Sequence, residues 1–266
     1  MASELVDSAQ AWELDPDAKD AGDLRFSHTV VVIKKGTDYY RGRLDSRLNG
    51  AKLDVESIQA ARIPTSHIWP EVIEGVTVLP HPPKDTYVKQ PKLIDYDADE
   101  EYKPCDLVRK EAQVCEKLRA QPHRSIAQYH GCIVDANQIR GLCFKKYTKT
   151  LWDRLQVTSE PLDHEAVLSA IQAGIKHIHS LGLAHNDINP ANIMFDSEDN
   201  AVIIDFDSCL EIGEDLIKHG THGWCDDENA LFSAPARDFQ ALQQIRELLE
   251  QHNTSALQDT PMTSRQ

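Results

Sequence analysis

The spacing of apolar positions changes character along the chain, and each change predicts an element. Thr29-Val30-Val31-Val32-Ile33 is an unbroken apolar run, followed by Lys34-Lys35-Gly36 and then Tyr39-Tyr40. Short β-branched runs on either side of a glycine read as strands, so Phe26 to Arg43 predicts two short strands around a turn. Gly75-Val76-Thr77-Val78-Leu79 predicts another strand, closed by Pro80, Pro82 and Pro83, and Thr86-Tyr87-Val88-Lys89 a further one that ends before Pro91. The period then lengthens. Cys105 to Leu118 reads as a helix with Leu107, Val114 and Leu118 on one face. Ile126 to Val134 and Ile139 to Tyr147 read as the next two strands. Pro161 to Leu181 is the clearest helix: Val167, Leu168, Ile171, Ile175 and Ile178 keep a helical period, and Gly182 stands at its C-terminal end. Ala201 to Ile204 is a short buried strand, and Asp238 to Gln251 a helix with Phe239, Leu242, Ile245 and Leu249 inward.

Strands with one helix followed mainly by helices predict an α+β protein of two unlike lobes. The first 25 residues are acidic and rich in Asp and Ala, and are expected to be loose. The expected organisation is an N-terminal extension at 1–65, partly disordered with a β-hairpin, then a domain at 66–251, with lobes at 66–147 and 148–251. A disordered polar tail is expected at 252–266.

Composition bounds this reading without sharpening it. The 266 residues are 41% hydrophobic and 27% charged, the balance of a globular protein with ample core. A net charge of −15 argues against nucleic acid or an anionic membrane surface as partner. No apolar run approaches the roughly 18 residues of a membrane span. Met1-Ala2-Ser3-Glu4-Leu5-Val6-Asp7 is acidic and lacks the basic and apolar regions of a signal peptide, so none is expected there. Cys105, Cys115, Cys132, Cys143, Cys209 and Cys225 include no C-x-x-C pair, so reduced, partly buried thiols in an intracellular, cytoplasmic or nuclear, protein are expected.

The candidate chemistry lies in His185-Asn186-Asp187-Ile188-Asn189-Pro190-Ala191-Asn192, followed by Ile203-Ile204-Asp205-Phe206-Asp207. An H-x-D-x-x-x-x-N pattern with I-D-F after a β-type run resembles a eukaryotic-type protein kinase, in particular the divergent kinase-like proteins of fungi. The resemblance covers roughly residues 67 to 250. It implies a two-lobed fold with a β-rich first lobe carrying one helix and a truncated, mainly helical second lobe. It also implies ATP and Mg2+ as cofactors and a protein substrate with no further identity. Asp187 is implied as the residue that orients or deprotonates the acceptor hydroxyl, with Asn189 beside it; Asn192 and Asp205 are implied on the metal. Tyr87-Val88-Lys89 resembles the strand whose lysine holds the inner phosphates, and Glu111 the glutamate that pairs with it. Phe144 and Tyr147 fall where the nucleotide base would lie. Gly220-Thr221-His222-Gly223-Trp224 resembles the activation segment, Glu228 its closing glutamate, and Asp238 the aspartate that supports the catalytic loop.

The chain departs from the family at telling positions. No G-x-G-x-x-G precedes Lys89, Asn186 replaces the usual Arg, Asn189 the usual Lys, Asp207 the usual Gly, and Asp226-Asp227 the usual Ala-Pro. A neutral amide at Asn189 stabilises a transferring phosphoryl less than an ammonium would, by on the order of a few kcal/mol. Three readings follow in order: an ATP-dependent kinase acting on Ser/Thr hydroxyls; a pseudokinase serving as a binding or scaffolding module; and a small-molecule kinase of the aminoglycoside or choline type, which also carries I-D-F/W-D/E.

Overall fold

A computed structural model describes residues 3–15, 23–48, 54–157, 161–218, 220–224 and 230–258, with side chains to His252. It divides into two units, Met1–Glu71 with Gln90–Val108, and Val72–Lys89 with Arg109–Gln266.

The first unit is built on an antiparallel sheet of four strands in sequence order: β1 (Ser3–Leu14), β2 (Leu24–Lys35), β3 (Asp38–Leu44) and β4 (Ala60–Ile63). The apolar run of β2 is explained by burial on both faces. Val30 and Val32 pack with Ile63, Ile68, Trp69, Leu93, Ile94 and Tyr96. Val31 and Ile33 point the other way, to Ile58, Leu5, Tyr40 and Leu44. The two-strand hairpin around Gly36 is present, and two further strands flank it. Ser3–Leu14, expected to be loose, is paired along β2 from Ser3↔Lys35 to Leu14↔Leu24. Residues 90–108 belong here rather than with the segment that follows them, because Leu93, Ile94 and Tyr96 bury their side chains in the β2 cluster. One short helix, α1 (Thr65–Ile68), closes the unit's core with Ile68.

The second unit carries β5 (Thr86–Lys89) and the helix α2 (Pro104–Ala120), whose residues from Arg109 onward it contains. It continues with β6 (Tyr129–Asp135) and β7 (Gln138–Lys145), which join β5 in a sheet ordered β5-β7-β6. The strand expected at Gly75–Leu79 reduces to one parallel bridge, Val78↔Cys132. After α3 (Leu151–Leu155) and α4 (His164–Ser180) come the short strands β8 (Leu183–Ala184), β9 (Ile193–Phe195), β10 (Ala201–Ile203) and β11 (Leu210–Glu211), paired β11-β8 and β10-β9. α5 (Pro235–Gln258) follows.

Local chemistry fixes the helix ends. Asp163 caps α4 by accepting from Ala166 N, and Gly182 ends it at φ +76°. α3 begins with a reciprocal capping box between Thr150 and Asp153. α5 buries Ala241, Leu242, Ile245 and Leu249, whereas Phe239, expected inward, is 40% exposed and meets the ring of His179 edge-on. The helix continues past His252, where the sequence pattern ends it; residues 259–266 of the expected tail lie outside the described residues, as do Cys225, Asp226, Asp227 and Glu228. The five described cysteines are all buried. Among the described residues no helix is long and apolar enough to cross a membrane.

Candidate active site

A carboxylate on α5 organises the loop that follows β8. Asp238 is fully buried, and its two oxygens accept the backbone N–H groups of His185 and Asn186, each at 2.8 Å, with His179 Nε2 also at 2.8 Å. Two main-chain donors that no strand or helix satisfies are thereby paired. Asn186 sits at φ +64°, a conformation that asparagine tolerates better than most residues, and its side-chain amide donates to Ala184 O, Ser208 O and Ser233 Oγ. The residue that stands in place of the usual Arg is thus a buried brace.

The loop then turns at Pro190–Asn192. Asn189 caps this turn, its Oδ1 accepting from Ala191 N at 2.9 Å and Asn192 N at 3.3 Å. Its Nδ2 donates to Asp187 Oδ1 and Thr221 Oγ1, both at 3.2 Å. Thr221 in turn donates its N–H to Asp187 Oδ1 at 2.8 Å, and Asn192 Nδ2 donates to Asp187 Oδ2 at 3.0 Å. With its nitrogen committed to Asp187, Asn192 keeps its amide oxygen for another partner.

Asn192 is tied directly to the second acidic motif. Its carbonyl accepts from Ile204 N at 2.9 Å, and Ile204 O meets His185 Nε2 at 3.0 Å. Asp205 follows at φ +64°. Its Oδ1 lies 2.5 Å from Lys89 Nζ, which also donates to Glu111 Oε1 at 2.8 Å and stands 3.7 Å from Asp207 Oδ2. Phe206 is buried against the His185 ring, and its N–H donates to Glu111 Oε1 at 3.2 Å. α2 and β5 thus meet the acidic motif through one ammonium.

The charges shift one another. Burial pushes Glu111 up to about 7 against the pull of Lys89. Burial also opposes the Lys89 ammonium, but Glu111, Asp205 and Asp207 outweigh it and hold its pKa above the ordinary lysine value. Burial likewise works to raise Asp207, yet Lys89 and Lys218 hold it below the usual carboxylate range. Lys218 Nζ lies 2.5 Å from Asp207 Oδ1.

Beside this cluster lies a cavity of about 320 Å3. Lys89, Glu111 and Asp205 form one polar end; Tyr87, Ala127, Phe144, Tyr147, Met194 and Ile204 form the walls, with Lys145 and Lys146 also lining it. A mostly apolar slot that ends in charges suits a flat aromatic group attached to an anion. Tyr147 is fixed by accepting Gln128 N at 3.0 Å. All eight candidate residues are brought together, five around the Lys89 and Asp187 clusters and the remainder on the turn and the cavity wall. Sequence reasoning missed Tyr87, Ala127, Met194 and Ile204. The last two sit in or beside continuous apolar runs, Ile193–Phe195 and Ala201–Ile203, so no alternation in the sequence sets them apart.

The comparisons with known proteins agree with this geometry. The protein kinase domain model matches residues 85–228, more than half of the chain. The chain belongs to the protein kinase family. Its α+β architecture is that of a kinase domain, with β-strands preceding the helical part. A 64-residue stretch is 42% identical to the probable serine/threonine-protein kinase ifkB of Dictyostelium discoideum, covering 24% of this chain and 5% of that protein. The same extent at 42% identity matches ifkA of that organism, covering 24% of this chain and 3% of the relative. The serine/threonine-protein kinase PSK2 of Saccharomyces cerevisiae is 36% identical over 64 residues, 23% of this chain and 6% of the relative. The matches therefore cover only a small part of these relatives' length.

Proposed function

We propose that this kinase domain transfers the γ-phosphoryl group of ATP to Ser or Thr hydroxyls of a protein. The observation that carries the reading is the position of Lys89, held between Glu111 and Asp205 at the charged end of an apolar cavity. In this reading the base occupies the slot between Phe144 and Met194, and Lys89 holds the inner phosphates. The amide oxygen of Asn192 and the carboxylate of Asp205 form an all-oxygen donor set suited to Mg2+, which would neutralise charge on the phosphates. Asp187 orients the acceptor hydroxyl and takes its proton, while Asn189 and the Thr221 N–H fix the carboxylate's direction.

Purified protein with labelled Mg-ATP is expected to transfer phosphate to itself or to a generic Ser/Thr substrate, and Asp187→Ala to abolish the transfer. Transfer that survives this substitution would overturn the reading. A second reading, nucleotide binding without turnover, is favoured by the sheet itself. Among the described residues β5 has no neighbouring strand on the side away from β7, where a glycine-loop hairpin would supply backbone donors to the phosphates. A thermal shift with Mg-ATP but no transfer would select it, since ligand at 100 times its dissociation constant adds about 2.7 kcal/mol.

A further inference from the structure

The site places three carboxylates around one ammonium. Glu111, Asp205 and Asp207 all lie within 3.7 Å of Lys89 Nζ. A triphosphate entering such a cluster meets an excess of negative charge, and two usual sources of compensation are absent. No glycine-rich loop precedes Lys89 in the sequence, and Asn189 is neutral with its amide nitrogen already directed at Asp187 and Thr221. A second ammonium is nonetheless present. Lys218 reaches Asp207 Oδ1 at 2.5 Å, on the opposite carboxylate oxygen from the one that faces Lys89.

The chain around Lys218 is anchored toward the reaction centre. Lys218 is fastened to Asp207 through its side chain, and Thr221, only three positions on, is fastened to Asp187 through its backbone N–H. The ammonium therefore bonds a carboxylate beside Lys89, three positions from a residue that bonds the carboxylate that would face the acceptor. At 37% exposure its side chain has freedom to turn, whereas Lys89 is enclosed.

We propose that Lys218 is a second phosphate-binding ammonium, which balances charge on the transferring phosphoryl in place of the lysine that Asn189 replaces. The inference rests on the kinase reading of the site. In the reaction the acceptor oxygen forms a bond to the γ-phosphorus, and the bond from that phosphorus to the bridging oxygen breaks. The electron pair of the broken bond leaves with ADP. The hydroxyl proton passes to Asp187, and Lys218 keeps its own proton throughout, supplying charge and hydrogen bonds only. Asp207 serves as the rest position of Lys218 before nucleotide enters. This accounts for one departure from the family, the added acid at position 207, by its pairing with Lys218.

The test uses the full chain with Lys218→Ala, Lys218→Arg, Asp207→Asn and the double variant Asp207→Asn/Lys218→Ala, reading steady-state transfer and the dissociation constant for Mg-ATP. Lys218→Ala is expected to lower kcat/KM for ATP by about 10- to 100-fold, the worth of a charge-assisted contact, and Lys218→Arg to retain most of it. The loss is expected to persist when Asp207→Asn is the background. If it vanishes there, Lys218 is merely the counter-ion of Asp207 and the proposal is overturned. An effect of Lys218→Ala within about twofold of the parent overturns it as well. Should the parent protein bind Mg-ATP without transferring phosphate, the kinase reading fails by itself, and the proposal is then read from binding alone: about tenfold weaker affinity in Lys218→Ala supports it, and unchanged affinity overturns it. A parent that binds no Mg-ATP overturns both.

Discussion

Thr221 donates its backbone N–H to Asp187 Oδ1 at 2.8 Å, so the stretch 220–224 bonds directly to the carboxylate that would receive the acceptor's proton. The other oxygen of Asp187 accepts from Asn192. The carboxylate is held on both sides and has little rotational freedom, which is the preorganisation that proton transfer needs.

Asp187→Asn keeps an oxygen for Thr221 while removing the base. Phosphoryl transfer is expected to fall by about 10²- to 10⁴-fold, with Mg-ATP affinity little changed. Radiolabel transfer and nucleotide titration on the same preparation check the two halves. A fall in affinity equal to the fall in rate would assign Asp187 to binding instead.

Asp238 is expected to matter more for folding than any residue that touches the cavity. Asp238→Ala strands the buried N–H groups of His185 and Asn186 and removes the partner of His179. The loss is expected to be about 3–5 kcal/mol in urea denaturation. Asp238→Asn, which keeps one acceptor oxygen, is expected to lose about half as much. Faster amide exchange at His185 and Asn186 in the Asn variant would locate the damage in the loop.

Glu111 gives the protein a definite pH signature. Its pKa rises from the ordinary 4.5 to about 7 on folding because burial disfavours the charged form. Between these values the folded state holds a proton that the unfolded chain has released. The group's contribution to stability is therefore complete below pH 4.5 and declines as pH rises through 7, by about 3 kcal/mol at most. Glu111→Gln retains an oxygen for Lys89 and Phe206 and does not titrate. The difference in unfolding free energy between parent and variant is expected to change across pH 4.5 to 7 and to be flat above it. A flat difference throughout would mean that Glu111 stays ionised in the folded protein.

What could be read from the sequence was whatever depends on residue type at fixed spacing. Asp187 and Asn192 fall in one motif and Asp205 in a second close after it, and the helical period of Val167 to Ile178 marks α4 without ambiguity. β1 gave no such signal because it is exposed along most of Ser3–Leu14, so no alternation records its pairing with β2. Residues 90–108 carry no sequence signal of where they pack, because Leu93, Ile94 and Tyr96 make too short a cluster to show a period, and only their packing with Val30 and Val32 reveals it. The start of α3 was overlooked although Thr150-Leu151-Trp152-Asp153 is a capping box in plain sequence. Lys218 is a different case. Its pairing with Asp207 spans a segment with no local pattern, and nothing short of coordinates brings the two together.

Gly131 is expected to be irreplaceable for a reason that lies outside the cavity. It sits at φ +140° at a bulge between β6 and β7, and a Cβ there would lie 2.6 Å from Thr77 O and 3.0 Å from Leu79 Cγ. Thr77 cannot easily retreat. Its carbonyl accepts Cys132 N at 2.8 Å, and its N–H and hydroxyl are both held by Glu116 on α2. Gly131→Ala therefore combines an unfavourable backbone conformation with a backbone clash, and is expected to cost about 2–4 kcal/mol. Gly182→Ala isolates the first effect: its φ is +76°, but nothing lies within 4 Å of the added methyl. That variant is expected to lose only about 1–2 kcal/mol. Equal losses in the two variants, measured by urea denaturation, would show that the Thr77 segment moves aside, and that its bridge to β6 is not what closes this edge of the sheet.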